Sequence, residues 1–507
     1  MSTTELARKF GDKPAVVSTV AGQGVTYREL EERSNAIAHL FRREGLGRGD
    51  HVAMILGNRP DSFPAIIAAM RTGLYCTLVN RNLSPDEAAY IVDDCGARLL
   101  VHEAEFTELA ERSAATAPAL RSRYVLDGEP GTAGSLCDAV RGGPTTPVAD
   151  ETQGATMLYS SGTTGRPKGV LPRLPDAPYG TMTAWARWFA DDKGITEDTV
   201  LVSPGPIYHS ASLAWAKSVL GHGGTHIVAP KFDAEQLLAA IERYGVTHLN
   251  AVPTMFVRML RLPESVRARY DLSSLRAVFH GGAACPIPVK RAMIDWLGPI
   301  ITEYYGGTEG VVDSSITTEE WLRKPGSVGR PATAVVRISD DGVTELPVGA
   351  TGTIWFESSS RDFEYHNDDA KTREAHSPRG WTTMGDIGHV DEDGYLFIAD
   401  RRSDLIVSGG VNIYPQEVED VLMEHPDVVD VAVVGLSDEE WGQMVHAVVK
   451  PADGVEPGPD LEARIIAFVR SRIAHFKAPR SVEFRSDLPR LESGKLQRWR
   501  LRDEAER

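Results

Sequence analysis

Apolar and polar positions alternate along this chain with two different periods. In "VTYRELEERSNAIAHLFRREG" (Val25 to Gly45) the apolar residues recur at helical spacing and a glycine follows, which predicts a helix with a glycine stop. "HVAMILG" (His51 to Gly57) is a short continuous apolar run and predicts a buried strand. "PDSFPAIIAAMRTG" predicts the next helix and "YCTLVN" the next strand. The same exchange continues through "ARLLVH", "THIVAP", "EQLLAAIERYG", "THLNAVP" and "RAVFHGG". Strand and helix in strict turn predict a layered α/β architecture with largely parallel sheets.

The pattern changes after about Pro325. "AVVRISDDGVTELPVGATGTIWFES" and "GHVDEDGYLFIADR" read as hairpins with Asp-Gly turns. "DEDGY" (Asp391 to Tyr395) has a calcium-loop flavour but lacks the remaining ligand positions, so the turn reading stands. The last hundred residues form an α+β pattern of helices "PQEVEDVLMEHP" and "LEARIIAFVRSRI" and strands "VDVAVVGL" and "VHAVVK". A small C-terminal domain beginning near Arg401 is the expected boundary.

A length of 507 residues exceeds one compact core and calls for at least two domains. The 42% hydrophobic and 25% charged content is ordinary for a soluble protein. The formal net charge of -17 argues against sequence-independent nucleic-acid binding or attachment to an anionic membrane. No apolar run of about 18 residues is present, so no integral membrane contact is expected. The N-terminus carries no signal-peptide core, and Cys76, Cys95, Cys137 and Cys285 form no C-x-x-C pair. A reducing, cytoplasmic setting is the expectation.

"YSSGTTGRPKGV" (Tyr159 to Val170) combines three glycines, four serine and threonine hydroxyls, one arginine and one lysine. Glycines let backbone N–H groups converge, and such concavities bind phosphate. The lysine is flanked by Pro167 and Gly169, so this is no Walker loop. A surface loop without function is the rival for this stretch alone. Four further segments remove that rival: "EYYGGTEG" (Glu303 to Gly310), "MGDIGHV" (Met384 to Val390), "DRRSDLIVSGGVNIYPQEVE" (Asp400 to Glu419) and "PRLESGKLQR" (Pro489 to Arg498). Together, in this order, they resemble the core motifs of the adenylate-forming (ANL) superfamily, in its acyl-CoA synthetase and aryl-CoA ligase branch. The resemblance spans essentially the whole chain.

That resemblance implies a large N-terminal domain, residues 1–400, of two β-α-β-α-β subdomains and a distorted β-barrel. It implies a hinge at 401–404 (Arg402, Ser403 and Asp404 after Arg401) and a mobile α+β domain over 405–507. Ser403 stands where many relatives carry Asp or Lys. The implied reaction joins a carboxylic acid to ATP as acyl-AMP, releases pyrophosphate, and passes the acyl group to coenzyme A. Ser160, Ser161, Gly162, Thr163, Thr164, Gly165 and Lys168 would handle the phosphates, with Lys168 and Thr308 among the catalytic groups. Glu309 would hold Mg²⁺. Gly282, Ala283, Glu303, Tyr304, Tyr305, Gly306, Gly307, Asp386, Ile398 and Arg401 would surround the nucleotide, with Asp386 on the ribose. Glu303, Tyr304 and Tyr305 also read as plain strand-end residues, and Asp386 as one that simply opens a hairpin. Lys495, on the small domain, would bridge carboxylate, ribose and α-phosphate oxygens as charge develops. Rotation of that domain would then withdraw it.

For the second step, Ser408, Gly409 and Gly410 would line the pantetheine tunnel, against a tight turn alone. Trp441 would stack the CoA adenine, against partial burial under the small domain. Lys477 would contact phosphates, against a solvated charge. The acyl pocket would use Tyr208, His209, Ser210, Trp215, Val252, Pro253, Gly281, Gly282 and Gly307. Core packing is an equal reading for Trp185, Trp188 and Trp215. "HGGTH" (His222 to His226) reads as a turn, since Gly-Gly opposes the helix a metal pair would need. "PKGV" is followed by "LPRLPDAPYG", so the helix start there must be rearranged.

The stretches "VPTMFVRML" and "YDLSSLRAVFHGGAACP" resemble bacterial ligases for fatty, steroid-like or terpenoid acids. A bulky hydrophobic or aryl acid is therefore expected. Two alternatives stay open: transfer to a separate acyl carrier protein or deficient thiolation, and a nucleotide- or acyl-binding protein that has lost catalysis. A homodimer is left open as the assembly state.

Overall fold

A computed structural model describes residues 1–506 except 21, 23, 129, 130, 132, 161–166, 359–362, 402, 403, 410, 440, 492 and 493. The Val25 to Gly45 pattern folds as helix Tyr27–Arg43. Thr26 and Glu29 cap it reciprocally, and Gly45 leaves it with φ 77°. Leu30, Ile37, Leu40 and Phe41 on its apolar side are buried, each by an amount that typically stabilises by about 1.5–3 kcal/mol.

His51–Ile55 lies inside a six-stranded sheet. Its order is Gly134–Ser135, Ser122–Val125, Leu99–His102, His51–Ile55, Tyr75–Leu78, Ala155–Thr156, and every neighbouring pair is parallel. Burial on both faces is why such strands read as unbroken apolar runs. A second parallel set runs Thr225–Val228, Val200–Val202, His248–Ala251, Ala277–His280, Ile301–Tyr305. Helix Ser210–His222 serves both sheets. Leu213, Ala216 and Leu220 join the core that includes Val52 and Cys76, while Trp215 and Val219 pack with Leu201 and Phe279.

Past Ile301–Tyr305 the second sheet continues antiparallel through Ser314–Ile316, Ser327–Pro331, Leu396–Arg401, Asp386–Val390, Gly352–Glu357 and Val335–Ile338, to thirteen strands in all. Strands Phe363–Tyr365, Lys168–Pro172 and Leu158–Ser160 form a separate antiparallel sheet. Among the described residues no sheet closes on itself, so the expected barrel is open. Its outermost strand, Val335–Ile338, pairs with Gly352–Glu357 alone.

Two local readings divide. "DEDGY" is a tight turn: Val390 faces Leu396, and Asp391 Oδ1 accepts the N–H groups of Asp393 and Tyr395. Lys324 Nζ neutralises it, 2.7 Å from Asp391 and 2.5 Å from Asp393, where a calcium ion would need open oxygens. The other expected Asp-Gly hairpin is instead a long connection, because Ile338 pairs with Ile354. Asp341 organises that loop by accepting from the backbones of Val343 and Thr344. The "HGGTH" stretch is a turn, with helix Ser210–His222 ending at Gly223, φ 88°. After Lys168–Pro172 the next helix begins only at Ala184, capped by Thr183.

The C-terminal portion pairs Val428–Asp438 with Gly442–Pro451, and Ser481–Phe484 joins parallel to the latter. Helices Pro415–Leu422 and Pro459–Arg470 cover the sheet, and the cluster from Ile406 to Ala478 draws only on this portion. A large N-terminal domain and a smaller C-terminal one thus each have a core. Among the described residues, no helix is long and apolar enough to cross a membrane. All four cysteines are free thiols.

Candidate active site

The ends of strands Ile301–Tyr305, Asp386–Val390, Leu396–Arg401 and Phe363–Tyr365 bring one polar cluster together. The Tyr305 hydroxyl donates to Asp386 Oδ2 at 2.6 Å, and Arg401 Nε stands 3.3 Å from Asp386 Oδ1. Asp386 and Arg401 face each other in register across the turn-linked pair of strands. Asp386 raises the Arg401 pKa further above its ordinary value. Burial, then the Asp386 charge, pushes the Tyr305 hydroxyl up, so it stays a donor. Ile398 packs in the apolar cluster behind Tyr305 and Met384.

Glu309 lies on the turn after Tyr305, where Gly310 N–H closes back on Gly307 O at 3.0 Å. Its Oε1 accepts from the Tyr365 hydroxyl at 2.8 Å. Thr308 Oγ1 is 3.2 Å from Ser210 Oγ at the start of helix Ser210–His222. Lys168 sits opposite Ser160 in the strand register, with its ammonium 5.4 Å from the Tyr365 ring centroid. Burial, then the nearby Lys371 charge, lowers the Lys168 pKa. Ser161, Gly162, Thr163, Thr164 and Gly165 lie outside the described residues.

Lys495 reaches this cluster from the C-terminal domain. Burial and the Arg401 charge bring its pKa down to about 8, against the opposing fields of Asp404, Asp386 and Glu309. Leu491 N–H bonds to Lys495 O at 2.9 Å and Gly494 N–H to Leu491 O at 2.8 Å. A Cβ on Gly494 would stand 2.6 Å from Thr254 Oγ1 and 3.1 Å from Val252, so Gly494 is docked tightly on the large domain. At the expected hinge, Asp404 pairs with Arg498 at 3.1 Å and Asp400 accepts from Gln416 N–H at 3.0 Å. Arg402 and Ser403 lie outside the described residues.

The acyl-pocket set splits. Tyr208 is buried against His209, with ring centroids 4.7 Å apart. Pro253 opens helix Pro253–Leu260, preceded by Val252. Gly281 passes so close to Tyr304 that a Cβ there would meet its carbonyl oxygen at 2.6 Å. Gly282 adopts φ 79°, with Val252 3.9 Å from its Cβ position, and Ala283 follows in the same loop. Gly306 and Gly307 bend the chain beneath Val312, Met384 and Glu309. Trp215 is a core residue, 1% exposed, packed edge-on against Phe189 and tilted against Phe279 and Tyr304. Its helix is shared by two sheets, which accounts for its burial. Tyr304 is tied back by its hydroxyl to Asn250 Oδ1 at 3.0 Å.

Glu303 corrects the expectation of a nucleotide contact. Its carboxylate takes Lys290 Nζ at 2.6 Å and lies 3.7 Å from His280 Nε2, with all three residues buried. Helix Ile287–Leu297 packs over the strand and supplies that lysine. Burial pushes the Glu303 carboxyl up and the Lys290 ammonium down, drawing both toward neutrality.

The thiolation set is more exposed. Ser408 faces Val411 across a tight turn, and Gly409, at φ 58°, donates its N–H to Trp441 O at 2.8 Å. A Cβ on Gly409 would meet the Trp441 ring at 2.6 Å. Trp441 is 40% exposed and so only partly buried, which leaves both readings of it open, and the Arg480 guanidinium lies 5.0 Å from its ring. Lys477 is held by Glu417 at 2.6 Å and is not a freely solvated charge. Gly410 lies outside the described residues. Tyr365, Thr254 and Lys290 were not among the expected site residues, since no local pattern marks them.

The AMP-binding enzyme family matches residues 3–360, and the C-terminal domain of AMP-binding enzymes matches residues 417–495. A 2-succinylbenzoate–CoA ligase of Bacillus cereus is 32% identical over 501 residues, 98% of this chain and 97% of that one. The fatty acid–[acyl-carrier-protein] ligase ScoC of Streptomyces coeruleorubidus is 34% identical over 97% of this chain and 93% of its own. The solved o-succinylbenzoate CoA synthetase of Bacillus subtilis, in complex with its acyl-adenylate intermediate, superposes with a TM-score of 0.82 at 27% identity, covering 99% of this chain and 97% of that one. With matches over both of its domains, the protein belongs to the AMP-binding enzymes, the adenylate-forming superfamily.

Proposed function

We propose that the protein is an ATP-dependent aryl- or acyl-CoA ligase that works through an acyl adenylate. The observation that carries this reading is Lys495: a lysine from the small domain stands in the field of Asp386, Glu309 and Arg401 on the large one. A carboxylate oxygen would attack the α-phosphorus and pyrophosphate would leave. Lys495 and Arg401 would offset the negative charge concentrated there, and Thr308 would donate to the phosphate. Asp386 would accept the ribose hydroxyls. Glu309 is a lone carboxylate with one oxygen held by Tyr365. Among the described residues no cluster of three potential ligands surrounds it, a donor set that suits Mg²⁺ completed by phosphate oxygens. When bound, that ion would screen the triphosphate charge.

The thiol of CoA would then attack the acyl carbon and AMP would leave. Gly409, Trp441 and Arg480 would guide the incoming cofactor, once residues 405–507 turn about the 401–404 hinge. Trp215 and Tyr304 close the space behind Gly281, which favours a flat aryl acid over a long chain. Carboxylate-dependent pyrophosphate release across aryl, fatty, steroid and terpenoid acids tests the reading. Nucleotide binding with no release under any acid favours a lapsed binding protein.

A separate carrier protein as acceptor is the second reading, favoured by the ScoC relative, whose name specifies an acyl-carrier-protein ligase. Competition between free CoA and a phosphopantetheinylated carrier decides between them.

A further inference from the structure

One side chain of this site meets Lys168 through its ring and Glu309 through its hydroxyl. We propose that Tyr365 is a positioning residue that joins Lys168 to Glu309 and presents that carboxylate to the metal–phosphate complex. The inference rests on the adenylation reading above.

Tyr365 is well fixed. Strand Phe363–Tyr365 pairs antiparallel with Lys168–Pro172, and Tyr365 stands opposite Val170, two residues from Lys168. The buried ring of Phe363 meets the Tyr365 ring edge-on at 5.3 Å. From that seat the ring lies 5.4 Å from the Lys168 ammonium, within cation–π range. The hydroxyl donates to Glu309 Oε1 at 2.8 Å. No other hydrogen bond to the Glu309 carboxylate is seen among the described residues, so Oε2 is the oxygen left to meet a cation. A carboxylate that binds metal through one oxygen loses affinity when the partner of its other oxygen is removed, typically about ten- to a hundredfold. The lysine depends on the ring instead, so the two functions of Tyr365 separate by substitution.

Tyr365→Phe keeps the ring and loses the hydroxyl, whereas Tyr365→Leu loses both. Calorimetric binding of ATP with and without Mg²⁺, in the absence of any acid, reads them apart, with thermal melting to confirm folding. Tyr365→Phe is expected to weaken Mg·ATP binding by about tenfold while sparing metal-free ATP. Tyr365→Leu should weaken both forms. In the Glu309→Gln background, adding Tyr365→Phe should cost almost nothing more. Equal weakening of both ATP forms by Tyr365→Phe, no change in either, or full additivity with Glu309→Gln would each overturn the assignment. A wild-type protein that binds neither form of ATP would overturn the adenylation reading itself, and this inference with it.

Discussion

The Tyr305 hydroxyl donates to Asp386 Oδ2 at 2.6 Å, while Arg401 holds the other side of the same carboxylate at 3.3 Å. The carboxylate expected to receive the ribose is therefore aimed before any nucleotide arrives, which reduces the ordering cost of binding. Asp386→Ala removes the acceptor for two ribose hydroxyls and should weaken ATP binding by about 3 kcal/mol or more, at roughly 1.5–3 kcal/mol per charged hydrogen bond. Tyr305→Phe removes only the aim and should cost about 1 kcal/mol. Calorimetric titration with ATP checks the order; an equal or reversed pair would remove Asp386 from the ribose.

Lys495 yields a pH dependence. Its ammonium is needed to offset charge in adenylation, and its pKa stands at about 8 in the docked arrangement. Protonated lysine is lost as pH rises through that value, so kcat/KM for acyl-AMP formation should fall on the alkaline side of about 8. Lys495→Arg should abolish that limb. Lys495→Ala should depress adenylation by about a hundredfold or more and largely spare thiolation of supplied acyl-AMP. Stopped-flow measurement of the two half-reactions decides, and equal loss in both would contradict the role.

Gly409 has two constraints at once, φ 58° and a Trp441 ring where its Cβ would go. Gly409→Ala should cost about 1 kcal/mol of stability and displace Trp441. Gly409→Leu should slow thiolation strongly while adenylation survives. Trp441→Ala separates the contributions, because it removes the ring without straining the backbone. Normal CoA turnover in Gly409→Leu would withdraw the tunnel assignment.

The Glu303–Lys290 pair is structural in this account. Lys290→Met leaves a buried carboxylate alone and should destabilise the protein by about 3–5 kcal/mol. The double variant Glu303→Gln, Lys290→Met should recover much of that and keep ATP affinity. Denaturant unfolding and ATP titration are the readouts; lost affinity in the stable double variant would return Glu303 to the nucleotide site.

The legibility of this molecule in its sequence follows the range of each signal. Helix Tyr27–Arg43 and the parallel strands were readable because their burial is one-sided or complete and repeats every few residues. Thr308, Glu309, Asp386 and Lys495 were singled out because the segments that hold them resemble family motifs, and the fold brings those segments to one cluster. Glu303 misled because it sits in such a segment, yet its partner Lys290 arrives from a helix that no local pattern connects to it. Tyr365 was invisible for the same reason: its partners Glu309 and Lys168 come from distant segments. The distorted barrel came only with the family resemblance, because strand closure depends on which edges meet, a property of the whole chain rather than of any hairpin.

The most direct test follows oxygen. An acid labelled with heavy oxygen in its carboxylate is turned over with ATP, Mg²⁺ and CoA, and the products are weighed by mass spectrometry. Attack of the carboxylate on the α-phosphorus, followed by thiol attack on carbon, leaves one labelled oxygen on AMP and none on pyrophosphate. Label in pyrophosphate, or unlabelled AMP alongside acyl-CoA, would contradict an acyl adenylate at this site.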